Sequence, residues 1–205
     1  MKIRITTASP DELHHDTLIL GVFSDERPPR GYGGWVDWRL NGIISTEIAR
    51  GMISGRFPDK LLFAYPQRIR VSRLLLFGMG LLAELTYDHL YNTGYEMART
   101  LSGIQTTDMA LPIPAAGRGS LKLPEMTDAM VTGLFDGFAL KAEELPTLRL
   151  DIPARVTQTE EIMKGLTLFR RRVGEAACTI LSPQEDATES SMGMDSMTKI
   201  GDPTQ

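Results

Sequence analysis

Short apolar runs alternate along the chain with longer stretches in which apolar residues recur at helical spacing. The short runs are rich in β-branched and aromatic residues and are bounded by Gly, Pro, Asp or Ser, a pattern that predicts strands. Six strands are predicted, over Lys2–Thr7, Thr17–Phe23, Lys60–Tyr65, Arg73–Phe77, Asp108–Ile113 and Leu148–Ile152. Two of these runs, Lys60–Tyr65 and Arg73–Phe77, are almost continuously apolar, which indicates a sheet covered on both faces.

The intervening stretches predict four helices, over Gly33–Arg50, Thr86–Leu101, Pro124–Glu144 and Thr157–Arg172. Local signals support their ends. Gly51 can end the first helix in a left-handed cap, Thr86 is a suitable N-cap, and Pro124 suits a first helical position. Thr157 and Glu160 have the spacing of a capping box. The order of strands and helices predicts an α/β fold, a three-layer α/β/α sandwich with a mixed sheet.

The apolar pattern stops near residue 181, which predicts one domain over residues 1–181 followed by a tail. The segment Ser182–Gln205 is rich in Ser, Thr, Met and Gly, with five acidic residues and one lysine. Segments of this composition cannot bury enough apolar surface to fold alone. We therefore expect this acidic tail to be disordered.

Composition narrows the class of protein. The chain has 205 residues and a formal net charge of −4, so nucleic acid is a poor default partner. The single cysteine, Cys178, fits a reducing compartment. The first residues contain no apolar run typical of a secretory signal, and no run is long enough to span a membrane. We expect a cytoplasmic protein without a membrane partner.

The residues for hydrolytic chemistry are sparse. The three histidines are His14, His15 and His89, and no zinc-binding, phosphate-loop or nucleophile-elbow motif is found. His14 and His15 are predicted to lie in a loop, and His89 on a helix surface. The sequence therefore predicts no catalytic residue, metal ligand or cofactor, although a hydrolase with an unrecognised site remains an alternative.

Two glycine-bearing loops, each between a strand and a helix, are the candidate ligand site. The first comprises Gly33, Gly34, Trp35, Val36 and Asp37, and the second comprises Ala115, Ala116, Gly117, Arg118, Gly119 and Ser120. Glycine allows close approach to the backbone, a helix N-terminus offers N–H groups, and arginine adds a cation, so both loops could cradle an anion. The alternative is that both are ordinary tight connections.

The two tryptophans also admit two interpretations. Trp35 and Trp38 flank Asp37 on the first predicted helix. They could pack in the core or an interface, or they could be exposed and stack on a base or anchor a partner.

Five segments resemble the amino-terminal domain of the leucyl aminopeptidase family, peptidase M17. They are Leu20–Gly31, Val36–Ser45, Gly55–Phe57, Arg73–Gly80 and Glu84–Thr86, and their order and spacing agree with the family over Lys2–Leu140. The resemblance implies a macro-domain-like fold. In the family this domain is an accessory that helps hexamer assembly, and peptide hydrolysis belongs to a separate domain with two metal ions and an NTDAEGR segment.

No such catalytic segment follows Ile152 in this sequence. The resemblance therefore implies a non-catalytic accessory or assembly module without aminopeptidase activity. Its expected partners are a second copy or a full-length aminopeptidase.

Macro domains bind ADP-ribose through glycine-rich loops, and the loops Gly33–Asp37 and Ala115–Ser120 are similar to these in place and composition. Phe23–Asp25 stand where macro domains carry an asparagine segment. The similarity of the two loops to those of macro domains nevertheless implies a second possible function, in which these loops bind a nucleotide or an ADP-ribose-type small molecule.

Overall fold

The computed structural model describes residues 1–9, 12–140, 142–174 and 177–181, without the side chains of residues 142–144. The strands in this part of the chain are β1 (Lys2–Thr6), β2 (His15–Val22), β3 (Lys60–Ala64), β4 (Val71–Gly78), β5 (Asp108–Ala110), β6 (Arg149–Pro153) and β7 (Thr179–Leu181). The helices are α1 (Gly31–Arg39), α2 (Ile43–Ala49), α3 (Tyr87–Gly103), α4 (Leu123–Ala139) and α5 (Thr159–Val173). Short 3₁₀ turns span Leu82–Glu84, Ala142–Thr147 and Val156–Gln158. The tail predicted over Ser182–Gln205 lies outside the described residues.

The strands form one mixed sheet in the order β3-β4-β2-β5-β6-β1-β7. Neighbouring strands are parallel, except that β3 runs antiparallel to β4. Six parallel strands side by side need helices on their faces, because their connections must cross over the sheet. The predicted mixed sheet is confirmed.

Helices cover both faces of the sheet. On one face, α1 and α2 bury Val36, Leu40, Ile44 and Ile48 against β2 and β4. On the other face, α3, α4 and α5 form the larger core, which receives the alternate strand residues such as Ile19. The predicted three-layer α/β/α architecture is therefore confirmed. No helix of the described residues is both long and apolar enough to cross a membrane.

The helix predicted over Gly33–Arg50 is two helices, so the prediction of a continuous helix is wrong. Asn41 and Gly42 both adopt the left-handed region, with φ of 57° and 76°. The Gly42 N–H then donates to the Asp37 carbonyl oxygen, and the chain turns before α2 begins. The predicted end is confirmed, since Gly51 has φ of 74° directly after α2.

The other predicted helix ends have mixed outcomes. Thr86 caps α3 by accepting a hydrogen bond from the His89 N–H, as predicted. Pro124 lies in the first turn of α4 but is its second residue rather than its first, because the helix begins at Leu123. The extension of α4 to residue 144 is wrong, because the helix ends at Ala139 and a 3₁₀ turn containing Pro146 follows.

The predicted capping box at Thr157 is also wrong. Gln158 instead accepts a hydrogen bond from the Arg155 N–H, which closes a 3₁₀ turn before α5. Strand β7 was not predicted. It has only three residues and pairs with β1 at the end of the sheet.

Candidate functional site

A cleft of about 450 Å³ opens where the parallel strands end. Its walls come from the segments that follow β1, β2, β5 and β6, together with the beginning of α1. In α/β sheets, ligands bind in the crevice outside the carboxyl ends of the strands. The volume is also within the usual range of small-molecule sites, roughly 300–1,000 Å³. This cleft is therefore the candidate functional site.

The beginning of α1 supplies one wall. Arg30, Gly31, Tyr32, Gly33 and Trp35 all line the cleft. Arg30 is the N-cap residue but makes no side-chain cap, and the first N–H groups of an α-helix have no acceptor within the helix. This helix end is therefore a source of hydrogen-bond donors beside the cleft.

The first predicted loop divides between the cleft and the protein interior. Gly33 and Trp35 line the cleft, whereas Gly34 does not. A side chain at Gly34 would meet the Pro29 carbonyl oxygen at 2.6 Å, so this glycine permits a close approach within the chain itself. Val36 is fully buried in the core beneath α1.

Asp37 has a structural contact away from the cleft. Its carboxylate accepts hydrogen bonds from the backbone N–H and the hydroxyl of Ser45, at the start of α2. Asp37 is almost completely buried. It therefore fastens α2 to α1 across the turn at Asn41–Gly42.

The second predicted loop contributes its first half to the cleft. Ala115, Ala116 and Arg118 line it, whereas Gly117, Gly119 and Ser120 are exposed outside it. Gly117 and Gly119 have φ of 74° and 80°, the left-handed region that favours glycine. These two glycines therefore shape the turn that carries Arg118 to the cleft.

Three arginines surround the mouth of the cleft. Arg118 forms an ion pair with Glu26, and its guanidinium lies 5.6 Å from the centre of the Phe23 ring. Arg30 and Arg155 are exposed, and no ion pair of either is found within the described residues. The positive charge at the mouth therefore comes mainly from Arg30 and Arg155, because Glu26 neutralises Arg118.

Arg155 was not singled out from the sequence. It follows β6, on a segment that the sequence predicts only as a connection to the last helix. The signal that could have identified it is its position, since a residue just beyond a parallel strand lies at the carboxyl edge of the sheet. Trp35 and Trp38 are both partly or largely exposed, at 41% and 70%. Of the two, only Trp35 lines the cleft.

A second polar cluster lies at the opposite, amino-terminal end of the strands. His15 Nδ1 is 2.8 Å from Asp108, and His15 Nε2 is 3.2 Å from Asp151. Arg4 donates hydrogen bonds to the Asp151 carboxylate from both Nε and Nη2. The prediction that His15 lies in a loop is wrong, since it is the first residue of β2. Within the described residues, no group of three or more His, Cys, Asp or Glu side chains is arranged to hold a metal ion.

Comparisons with known proteins agree with the fold. The chain is 24% identical over 189 residues to a probable cytosol aminopeptidase of Pseudomonas syringae, a match that covers 83% of this chain and 38% of the relative. A mutant of tomato leucine aminopeptidase superposes with a TM-score of 0.61 at 19% identity, covering 81% of this chain and 35% of that one. A macrodomain of Oceanobacillus iheyensis with ADP gives a TM-score of 0.63 at 9% identity, covering 82% and 91%.

The chain thus spans about two fifths of the length of the curated relatives it matches. The low identities to the solved structures establish the macrodomain-like fold and nothing finer. The model of the cytosol aminopeptidase N-terminal domain matches residues 19–138, more than half of the chain. The resemblance drawn from the sequence is confirmed, and the chain belongs to the cytosol aminopeptidase family through this N-terminal domain.

Proposed function

We propose that this domain is a non-catalytic binding module whose cleft takes a small anionic ligand of the nucleotide or ADP-ribose type. The observation that carries the proposal is the cleft itself, at the carboxyl ends of four parallel strands and beside the beginning of α1. Phosphate groups suit such a position because helix N–H groups and arginines attract negative charge there. A macrodomain with a similar fold has been solved with ADP, which adds support for this class of ligand.

The charges at the mouth favour an anion despite the acidic chain. Arg30 and Arg155 reach the cleft from opposite layers of the sandwich, before α1 on one side and after β6 on the other. An anion between them gains charge-assisted hydrogen bonds, which are stronger than neutral ones. Arg118 is a weaker contributor, because binding at its guanidinium has to compete with Glu26.

Calorimetric titration with ADP-ribose tests the proposal. We expect saturable binding by the unaltered protein, and a loss of roughly tenfold or more in affinity in the double variant Arg30→Ala, Arg155→Ala. Arg171→Ala is the matched control, because Arg171 is an exposed arginine at the far end of α5. The absence of binding at millimolar ADP-ribose, or equal losses in the control and the double variant, would contradict the proposal.

A second candidate function is assembly with another copy or with a full-length cytosol aminopeptidase. Membership of the N-terminal domain family supports it, and so does strand β3, which lies at the end of the sheet. An edge strand offers unpaired backbone groups to another chain, and the exposed side chain of Leu62 adds apolar surface there. Neither observation depends on the cleft.

Light scattering after size-exclusion chromatography tests assembly, with the protein alone and mixed with a full-length cytosol aminopeptidase. We expect a complex with one of the two, which Leu62→Glu dissociates. Ala64→Glu is the control on the same strand, since it also introduces an acidic side chain at an exposed position but removes only a methyl group. If the protein elutes as a monomer both alone and in the mixture with the enzyme, this function is excluded.

A further inference from the structure

Trp35 presents a large aromatic surface to the cleft. Its side chain is 41% exposed although it belongs to a helix that packs on the sheet, because the adjacent Val36 fills the buried position instead. Tyr32 contacts the indole nearly at a right angle, with ring centroids 5.7 Å apart and planes at 72°. In an edge-to-face contact, the rim of one ring touches a face of the other ring. Tyr32 can therefore cover at most one face of the Trp35 indole, and the other face is available for stacking.

An apolar residue from the opposite layer also lines the cleft. Val156 lies in the 3₁₀ turn after β6 and is 75% exposed, which is unusual for a valine in a concave site. The cleft therefore has an aromatic wall on the α1 side and an aliphatic wall on the α5 side. A flat ring in contact with both side chains would remove apolar surface of the ring, the indole and the valine from water.

Each wall carries a cation close to its apolar residue. Arg155 directly precedes Val156, and Arg30 directly precedes the helix that bears Trp35. A ligand that suits this arrangement combines a planar aromatic ring with an anionic group. Ribose phosphate alone would satisfy the arginines but leave both apolar walls exposed.

We propose that Trp35 and Val156 form a sandwich for an aromatic base, so that the cleft selects nucleotides by their base and Trp35 is the specificity-determining residue. This inference rests on the proposed function, and it adds that the base contributes as much to recognition as the phosphate. Base stacking on an aromatic side chain typically changes affinity by about tenfold or more when the side chain is removed. Trp38, three residues along the same helix but outside the cleft, takes no part.

Tryptophan fluorescence and calorimetry with AMP test the inference. In a Trp38→Phe variant the emission comes from Trp35 alone, and AMP is expected to quench it in a saturable way. Adenosine should quench at higher concentration, and ribose 5-phosphate should not quench. In calorimetry, Trp35→Leu is expected to lose about tenfold or more in affinity for AMP, whereas Trp38→Leu retains it.

The outcomes separate this inference from the proposed function. Equal binding of AMP and ribose 5-phosphate, or unchanged AMP affinity in Trp35→Leu, would overturn the sandwich while leaving an anion-binding cleft intact. If neither AMP nor ADP-ribose binds at millimolar concentration, both the inference and the proposed function fail. Far-ultraviolet circular dichroism of each variant confirms that it is folded, which is expected because both tryptophans are exposed.

Discussion

His15 is held between two carboxylates near the amino-terminal ends of the strands. Its side chain is only 6% exposed, with Asp108 on one ring nitrogen and Asp151 on the other. Burial alone would lower the pKa of His15, but the hydrogen bonds and charges of Asp151 and Asp108 outweigh it and raise the pKa above its ordinary value. Burial would likewise raise the pKa of Asp151, and its bonds to His15 and Arg4 instead lower it.

These opposite shifts predict how stability depends on pH. The contribution of His15 is complete below its unfolded pKa of about 6.5 and is lost as the pH rises through the higher folded value. The contribution of Asp151 is complete above about pH 4 and is lost as the pH falls through the lower folded value. We therefore expect the cluster to stabilise the fold most between about pH 4 and 6.5.

Urea unfolding of the protein and of His15→Gln at pH 6 and pH 8 measures this effect. The free energy of unfolding should fall between pH 6 and pH 8 in the unaltered protein and fall much less in His15→Gln. His14→Gln is the control, because His14 is exposed and contacts Arg70 rather than a carboxylate. A pH dependence that is identical in His15→Gln and the unaltered protein would contradict the account.

Asp37 gives a second prediction at the residue scale. Replacement by alanine leaves the Ser45 N–H and hydroxyl without their acceptor, which costs about 1–3 kcal/mol when such groups are buried. Urea unfolding should show this loss for Asp37→Ala, and a loss of less than about 0.5 kcal/mol for Glu47→Ala, whose ion pair with Arg50 is exposed. If Asp37→Ala is as stable as Glu47→Ala, the hydrogen bonds between Asp37 and Ser45 do not stabilise the packing of α2 against α1.

At the scale of elements, the hydrophobic pattern predicted the strands and helices that bury a continuous face. It did not predict the break between α1 and α2, because Val36, Leu40, Ile44 and Ile48 keep helical spacing on both sides of it. The break depends on Asn41, a residue that adopts left-handed backbone at a modest cost but does so only in some contexts. Strand β7 was not predicted because three residues are too few to show the alternation of apolar and polar positions that identifies a strand.

The contact between α3 and α4 depends on glycines whose importance the sequence does not reveal. A side chain at Gly133 would lie 1.9 Å from the Tyr91 carbonyl oxygen, and one at Gly94 would lie 2.3 Å from that of Met130. Each helix therefore approaches the backbone of the other directly. Any added methyl group must push the two helices apart.

Gly133→Ala should consequently destabilise the protein by about 1–3 kcal/mol or more, because the obstacle is backbone that cannot rotate away. Gly103→Ala is the matched control on α3. No atom lies within 4 Å of the position that its side chain would occupy, so helix propensity predicts a change of about 1 kcal/mol or less in the stabilising direction. Thermal unfolding of both variants distinguishes them. Similar melting temperatures for the two would show that the helices can separate at little cost.

At the scale of the whole molecule, the two loops named from the sequence contribute only some of their residues to the cleft. Both glycine-bearing loops reach that edge, with Gly33, Trp35, Ala115, Ala116 and Arg118 in the cleft. Their remaining glycines shape turns or permit contacts inside the chain. Sequence spacing cannot separate these roles, because glycine serves a bound ligand and a tight turn by the same lack of a side chain.

Arg155 and Val156 could not be assigned from local sequence for a different reason. Arg155 lies 35 residues beyond Ser120, the end of the second loop, but it belongs to the segment after β6, and β6 is separated from β2 in the sheet only by β5. Only the strand order brings α1, the β5 loop and the β6 turn around one cavity. The residues that line the cleft are therefore determined by the order of the strands in the sheet rather than by any single sequence motif.

The proposed binding of a nucleotide-type ligand in this cleft is tested most directly by NMR mapping of backbone amide shifts during titration with ADP-ribose. We predict saturable shifts for Gly31–Trp35, Ala115–Arg118 and Ala154–Val156, with little change along the α3–α4 contact. Shifts confined to other surfaces, or no shifts at millimolar ADP-ribose, would contradict the proposal.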